Sequence, residues 1–264
     1  MDANESFNRR KSIVQQMNIM DDDFFHKVAE DCPAMEEILS VLLDKKNLHL
    51  LWSRPQVFLR NSGARSVRLD ALCKTSDGQL YSLEMEKSNK DDHQKRVRYN
   101  SSNIDTLYTE KGVDFKDIPD LCMIYISKTD FFKDGECIYH VNRTIQETGR
   151  TVMNGLQEIY VNARVADGSP ISQLMQYMKH TRGEHPLFPK LSARVKYLKE
   201  EQKGVEEMCE AVEQYARERA KETAKETARE NALRFLQNGV DFEIVVRSIT
   251  QLTRKELEEL REIS

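Results

Sequence analysis

Three carboxylates with chemical potential stand close together in RLDALCKTSDGQLYSLEMEK, Arg68 to Lys87: Asp70, Glu84 and Glu86. Carboxylates are poor strand formers, yet this stretch alternates as two strands around a turn. In the first strand Val67, Leu69, Ala71 and Cys73 share one face, and Arg68, Asp70, Leu72 and Lys74 share the other. In the second, Tyr81, Leu83 and Met85 lie opposite Leu80, Ser82, Glu84 and Glu86. A two-residue turn at Asp77-Gly78 pairs Asp70 with Met85 and sets apolar faces against polar ones. A three-residue loop, Ser76 to Gly78 with Gly78 left-handed, pairs Asp70 with Glu84 and aligns the apolar faces. The buried face sets register, so the residues predict the three-residue loop and one shared acidic face. Two carboxylates about 5 Å apart repel by roughly 3 kcal/mol at an effective dielectric of about 20. Three together need water, protonation or a cation. Mg²⁺ suits such a group, because it takes one or two carboxylates, keeps several waters and meets a phosphate in its remaining positions. An amphipathic hairpin with a solvated polar face, Arg68 neutralising Asp70, has the same pattern. On the residues alone both readings stand.

Other constellations are weaker. His180 and His185 flank TRGE without a metal-site spacing, and there is no nucleophile elbow or P-loop. The five cysteines are odd in number and none forms a CxxC pair, which argues against a disulfide framework or zinc ribbon. Cys73 and Cys122 lie in apolar runs and read as buried small hydrophobes. The composition is 39% hydrophobic and 32% charged, enough for a core of ordinary size plus an extension. A net charge of −4 excludes a globally basic nucleic-acid binder but not a local basic patch. No apolar run reaches membrane-spanning length and the N-terminus lacks a signal-peptide core, so a cytoplasmic protein with no membrane partner is expected.

The elements that must position the carboxylates read as follows. To about residue 50 the chain is helical, with Phe24, Phe25 and Val28 on one face and Met35, Ile38, Leu39, Leu42 and Leu43 on another, ending at Asp44 to Asn47. From about 51 to 190 strands alternate with helices. A helix is expected from Asp91 to about Glu110, a buried strand from Leu121 to Ser127, strands in CIYHVNRTI and QEIYVNAR, and a short helix begun by Pro170. Trp52, the single tryptophan, is expected to pack. Beyond Pro189 a long charged helix with one interruption at Gly204 stops at Gly239. Two short helices follow, Asp241 to Thr250 and Thr253 to Ile263, with Thr253 and Glu256 at capping-box spacing. The expected division is 1–190 and 191–264.

The Asp, the turn and the following Glu-x-polar strand resemble the core of PD-(D/E)XK nucleases. The ordered blocks DDDFFHKVAED, RSVRLDALCKTSDGQLYSLEMEK, KRVRYNSSNID and IYHVNRTIQETG are more specific. They are similar to those of the PD-(D/E)XK nuclease family transposases, relatives of the Rpn recombination-promoting nucleases. The resemblance runs from about Asp21 to the C-terminus. It implies an α/β, restriction-endonuclease-like fold: a mixed central sheet flanked by helices, with a long helical tail. It also implies Mg²⁺-dependent hydrolysis of DNA phosphodiesters, Mn²⁺ substituting. By the same resemblance Asp70 and Glu84 are metal ligands. Glu86 falls where the wider superfamily has Lys and close relatives have Gln; it serves as a further ligand or proton acceptor, without the positive charge of Lys. Lys87 points to the other face by alternation and is no replacement. Gln94, Arg96, Arg98 and Tyr99 match a block expected to hold DNA phosphate, with Arg96 and Tyr99 one turn apart; a solvated basic helix face has the same spacing. Asp22, which a helix cap also explains, and Glu37 are weaker acidic candidates. The alternative is a catalytically inactive descendant that binds DNA or protein and forms a homo-oligomer through its helical tail.

Overall fold

The computed structural model describes residues 3–59, 66–86, 93–109 and 111–262. Its first unit, Met1–Met208, opens with helices α1 (Ala3–Gln16), α2 (Asp22–Ala29) and α3 (Cys32–Leu42). Asp31 separates α2 from α3 because its carboxylate accepts the Ala34 N–H as an N-cap. Asp44 and Asn47, both at positive φ, then turn the chain out of the helix.

The sheet follows: β1 (Leu50–Leu59), β2 (Val67–Thr75), β3 (Leu80–Glu86), β4 (Leu121–Ser127), β5 (Ile138–Val141) and β6 (Leu156–Asn162), in spatial order β1-β2-β3-β4-β6-β5. The β1-β2-β3 meander is antiparallel, β3-β4-β6 is parallel, and β5 returns antiparallel to β6. Helix α4 (His93–Tyr108) makes the β3-to-β4 crossover and lays Val97 and Ile104 on Leu72, Leu80, Leu121, Met123, Tyr125 and Tyr160. Helices α2 and α3 pack on β1, and α5 (Pro170–His180) and α6 (Pro189–Glu200) pack on α3. This is the mixed sheet flanked by helices that the family resemblance implies. Cys73 and Cys122 are fully buried, and burial pushes both thiols up to about 12. Trp52 is partly buried against the core, with Arg54 stacked on its ring.

The strand β1 has no counterpart in the sequence reading. Pro55 interrupts it and Gln56 takes φ +50°, so its residues do not alternate. An edge strand tolerates both, because one side of its backbone needs no ladder partner. CIYHVNRTI is a strand only to Val141; beyond it the chain makes a single bridge, Thr144 to Thr151. The ends expected for the crossover helix, Asp91 and Glu110, lie outside the described residues.

The break between α6 and α7 (Gln202–Gln237) falls at Glu201, not at Gly204. Gly204 is inside α7, and a Cβ there would sit 2.1 Å from the Tyr197 carbonyl oxygen. Its lack of a side chain lets the first turn of α7 close on the end of α6. Gly204→Ala is therefore expected to destabilise the fold by about 2 kcal/mol, the scale of core overpacking; an unchanged urea midpoint would contradict this.

The second unit, Cys209–Ser264, contains the rest of α7 with α8 (Phe242–Ser248) and α9 (Arg254–Glu262). The first unit runs on to Met208, and within it α6 packs on α3. Ala228 and Ala232 of α7 meet Val245, Ile249, Leu252, Leu257 and Leu260. Gly239, at φ +74°, ends α7 as expected, and Thr253 and Glu256 form the capping box. Lys225 pairs with Glu256 and, with the cap, pulls its carboxyl down to about 2. No helix among the described residues is long and apolar enough to cross a membrane.

Candidate active site

The hairpin forms with the three-residue loop. Thr75 N–H reaches the Gln79 carbonyl at 3.0 Å, Gly78 N–H reaches the Thr75 carbonyl at 3.0 Å, and Gly78 has φ +95°. The observed register, Ala71 with Leu83 and Cys73 with Tyr81, sets Asp70 opposite Glu84 when continued by one pair. There the ladder opens. Continued once more, it would face Met85 with Leu69. Instead the Met85 N–H donates to the Asp70 carboxylate at 2.8 Å. Simple alternation also fails here, since Val67 and Leu69 join the same core cluster as Leu72 and Leu80. The irregular residue of β1, Gln56, is the one across from Asp70.

The acidic face is not a solvated one. Glu84 and Glu86 are only 8% and 7% exposed, because α4 and the ring of Phe131 close over this end of the sheet. Glu84 accepts from the Ser82 hydroxyl at 3.2 Å. Burial first, and then the charge of Asp70, hold its carboxyl well above the usual carboxylate range. The raised value means that the fold binds a proton at Glu84 more tightly than the unfolded chain does. Stability from this source is complete below the unfolded pKa of about 4.3 and is lost as pH rises through the raised folded value. Glu84→Gln removes the titration. It is expected to raise the melting temperature in EDTA at pH 8 and to lose that advantage near pH 4; an equal gain at both would exclude ionisation as its cause.

Asp70 has a second partner. His26 of α2 places Nε2 3.8 Å from Asp70 Oδ1, while Gln56 Nε2 lies 2.6 Å from His26 Nδ1. The strained backbone of Gln56 thus serves to orient a buried histidine toward the acid. Asp22 is the first residue of α2, after Asp21 at the cap position, and shares a helix face with His26 four residues later.

Glu86 is held from two sides. Arg96 Nη1 of α4 donates at 2.6 Å and the Tyr125 hydroxyl of β4 at 2.7 Å, both to Oε2. His93 Nδ1 lies 2.8 Å from the Tyr125 hydroxyl and 3.6 Å from Glu86, and its ring packs on Phe131. Burial, then the bond to Glu86, push the Tyr125 phenol up, so it stays protonated and donates.

The predicted residues therefore divide. Asp70, Glu84, Glu86 and Arg96 come together. Gln94 and Arg98 face solvent on the outer side of α4, and Tyr99 packs against the core. Glu37 is elsewhere: its carboxylate accepts the N–H groups of Lys190 and Leu191 at the start of α6, a helix N-terminus that favours negative charge. Lys87 lies outside the described residues. The sequence reading did not include His26, Gln56, His93 or Tyr125. Two signals were available: Tyr125 carries the one polar tip at the centre of LCMIYIS, and His26 follows Asp22 by one helical turn.

Among the described residues no three His, Cys, Asp or Glu side chains are arranged to hold a metal ion. Asp70 and Glu84 make a pair of hard oxygen donors whose mutual repulsion a divalent cation would relieve. That donor set fits Mg²⁺ or Mn²⁺, which complete their shells with water and phosphate, and does not fit a closed structural zinc site.

No curated protein and no solved structure matched the chain. The family model described as "PD-(D/E)XK nuclease family transposase" matches residues 27–241. That span takes in the whole sheet, both carboxylate strands and the α4 arginine, and PD-(D/E)XK nucleases typically use divalent metals. The chain belongs to the PD-(D/E)XK nuclease family transposases.

Proposed function

We propose that this protein is a metal-dependent endonuclease that hydrolyses DNA phosphodiester bonds. The observation that carries the reading is the buried Glu84 carboxylate held beside Asp70, in a family of nucleases. Burying like charges is costly unless a cation joins them. Asp70 and Glu84 hold Mg²⁺, for which Mn²⁺ substitutes; when bound, the cation stabilises charge on the phosphoryl oxygens and acidifies water.

The chain's own residues do the rest. Met85 N–H and His26 fix the direction of Asp70. Arg96 brings a guanidinium to the position beside Glu86, where the superfamily lysine would place its charge, and meets a non-bridging oxygen of the substrate. With its Oε2 bonded to Arg96 and Tyr125, Glu86 acts as a positioning residue and not as the proton acceptor. In the reaction a water molecule gives up a proton to solvent as its oxygen bonds to phosphorus, the phosphorus–oxygen bond to one sugar breaks, and that leaving oxygen takes up a proton from solvent.

Supercoiled plasmid incubated with the purified chain tests this. Nicking is expected with Mg²⁺ and with Mn²⁺ and none with EDTA. Nicking that persists in EDTA, or that never appears with either metal, would overturn it.

A further inference from the structure

Three cations gather at the carboxyl end of the parallel strands. The register aligns Glu86, Ser127 and Asn162 across β3, β4 and β6. One residue on, Lys128 N–H bonds to the Glu86 carbonyl at 3.4 Å, and Ala163 N–H bonds to the Ser127 carbonyl at 2.8 Å. Lys128 and Arg164 therefore leave neighbouring strand ends, and strands lie about 4.8 Å apart. Lys179, near the end of α5, turns its ammonium onto the Ala163 carbonyl, next to Arg164.

Lys128 and Arg164 are exposed and Lys179 is half-buried. None of the three forms an ion pair with a carboxylate among the described residues. The acids nearest in sequence are occupied. Asp130 accepts the N–H groups of Lys133 and Gly135 and the Tyr139 hydroxyl, and Asp167 accepts the Ser169 N–H. Burial, then the charges of Lys128 and Arg164, hold Lys179 below the usual lysine range, so the three feel one another. In a chain with a net charge of −4, such a cluster is a local exception that an anion would relieve. Open parallel sheets bind ligands outside the carboxyl ends of their strands.

We infer that Lys128, Arg164 and Lys179 form a platform for the phosphate backbone of duplex DNA at the carboxyl ends of β4 and β6. The inference rests on the nuclease reading for its choice of anion. Phosphates spaced along a strand match cations spaced along strand ends. The platform contacts backbone only, so it steadies any sequence equally.

The test is binding without cleavage. Fluorescence anisotropy of a labelled 20-base-pair duplex is measured with the full chain in EDTA, across a series of salt concentrations. Each lost phosphate contact should flatten the log–log salt dependence by about 0.9. The Lys128→Gln/Arg164→Gln double variant is expected to flatten it by about 1.8 and to weaken binding roughly tenfold at low salt. Lys116→Gln, a distant exposed lysine, should change neither. A double variant with wild-type slope and affinity would overturn the platform, as would wild-type protein that does not bind the duplex. Nicking is scored separately. Slope loss without metal-dependent nicking keeps the platform and removes the nuclease reading; nicking with an unaltered slope does the reverse.

Discussion

Asp70→Asn and Glu84→Gln are each expected to lower kcat for Mg²⁺-dependent nicking by about a thousandfold or more. Both substitutions keep shape and remove charge, so the loss reports the missing donor and not a rebuilt fold. A cation's stabilisation of transition-state charge is worth several kcal/mol, and single well-placed charge stabilisers in active sites reach 10²–10³-fold by themselves (roughly 3–4 kcal/mol). The two effects should not add, because either change empties the same site. The double variant is therefore expected to resemble the singles. Glu84→Gln also carries an internal control: in EDTA at pH 8 it should be more stable than the wild type, since burial and Asp70 oppose the ionised form. Loss of activity with gain of stability separates a functional carboxylate from a structural one. Near-normal nicking by either variant would remove that residue from the site.

Arg96→Ala is expected to destabilise the protein by about 2 kcal/mol. It strands Glu86, whose side chain is 9% exposed, without the guanidinium that now lies 2.6 Å away. Breaking a fully buried pair costs about 3–5 kcal/mol. Arg96 itself is 37% exposed, and water screens the remaining charge, which lowers the expected cost. Adding Glu86→Gln should restore most of the stability, because the amide oxygen still accepts from Tyr125 while the unpaired charge is gone. Activity should behave differently. The double variant lacks the guanidinium that meets phosphate, so its nicking should stay as low as that of Arg96→Ala. Thermal melts of the wild type, both singles and the double form the cycle that measures this. A double variant as unstable as Arg96→Ala would show that Arg96 stabilises through something other than Glu86.

The hairpin was legible because its constraints were local. Gly78 at the left-handed position, with one face of each strand apolar, leaves one loop length that buries both faces, and the chain adopts it. The same logic located β4, whose run of buried residues has no alternation to misread. It failed at β1, where Pro55 and the left-handed Gln56 erase the period-2 signal that an edge strand does not need. The candidate site was legible as types and only partly as contacts. Period-2 counting put Glu84 and Glu86 on one face but could not tell a wet face from a covered one. The cover comes from α4, the next element in the chain, and from Phe131 beyond β4, and the period-2 pattern of the hairpin does not show that either one folds back over it. Asp70 breaks parity because its partners, Met85 N–H and His26, arise from a ladder opening that no pattern encodes. Glu37 shows the converse. Its helical spacing was compatible with a site, yet the start of α6, about 150 residues away, takes both its oxygens. Gly204 read as a helix break, although the break is one turn earlier and the glycine answers to a carbonyl from the preceding helix.

The central claim is that Asp70 and Glu84 together hold a divalent cation. The most direct measurement is anomalous scattering from a crystal of the full chain soaked in Mn²⁺. The account predicts one strong anomalous peak between the Asp70 and Glu84 carboxylates, absent from crystals of Asp70→Asn. A peak elsewhere, or a pair of carboxylates that binds no ion at saturating Mn²⁺, would contradict it.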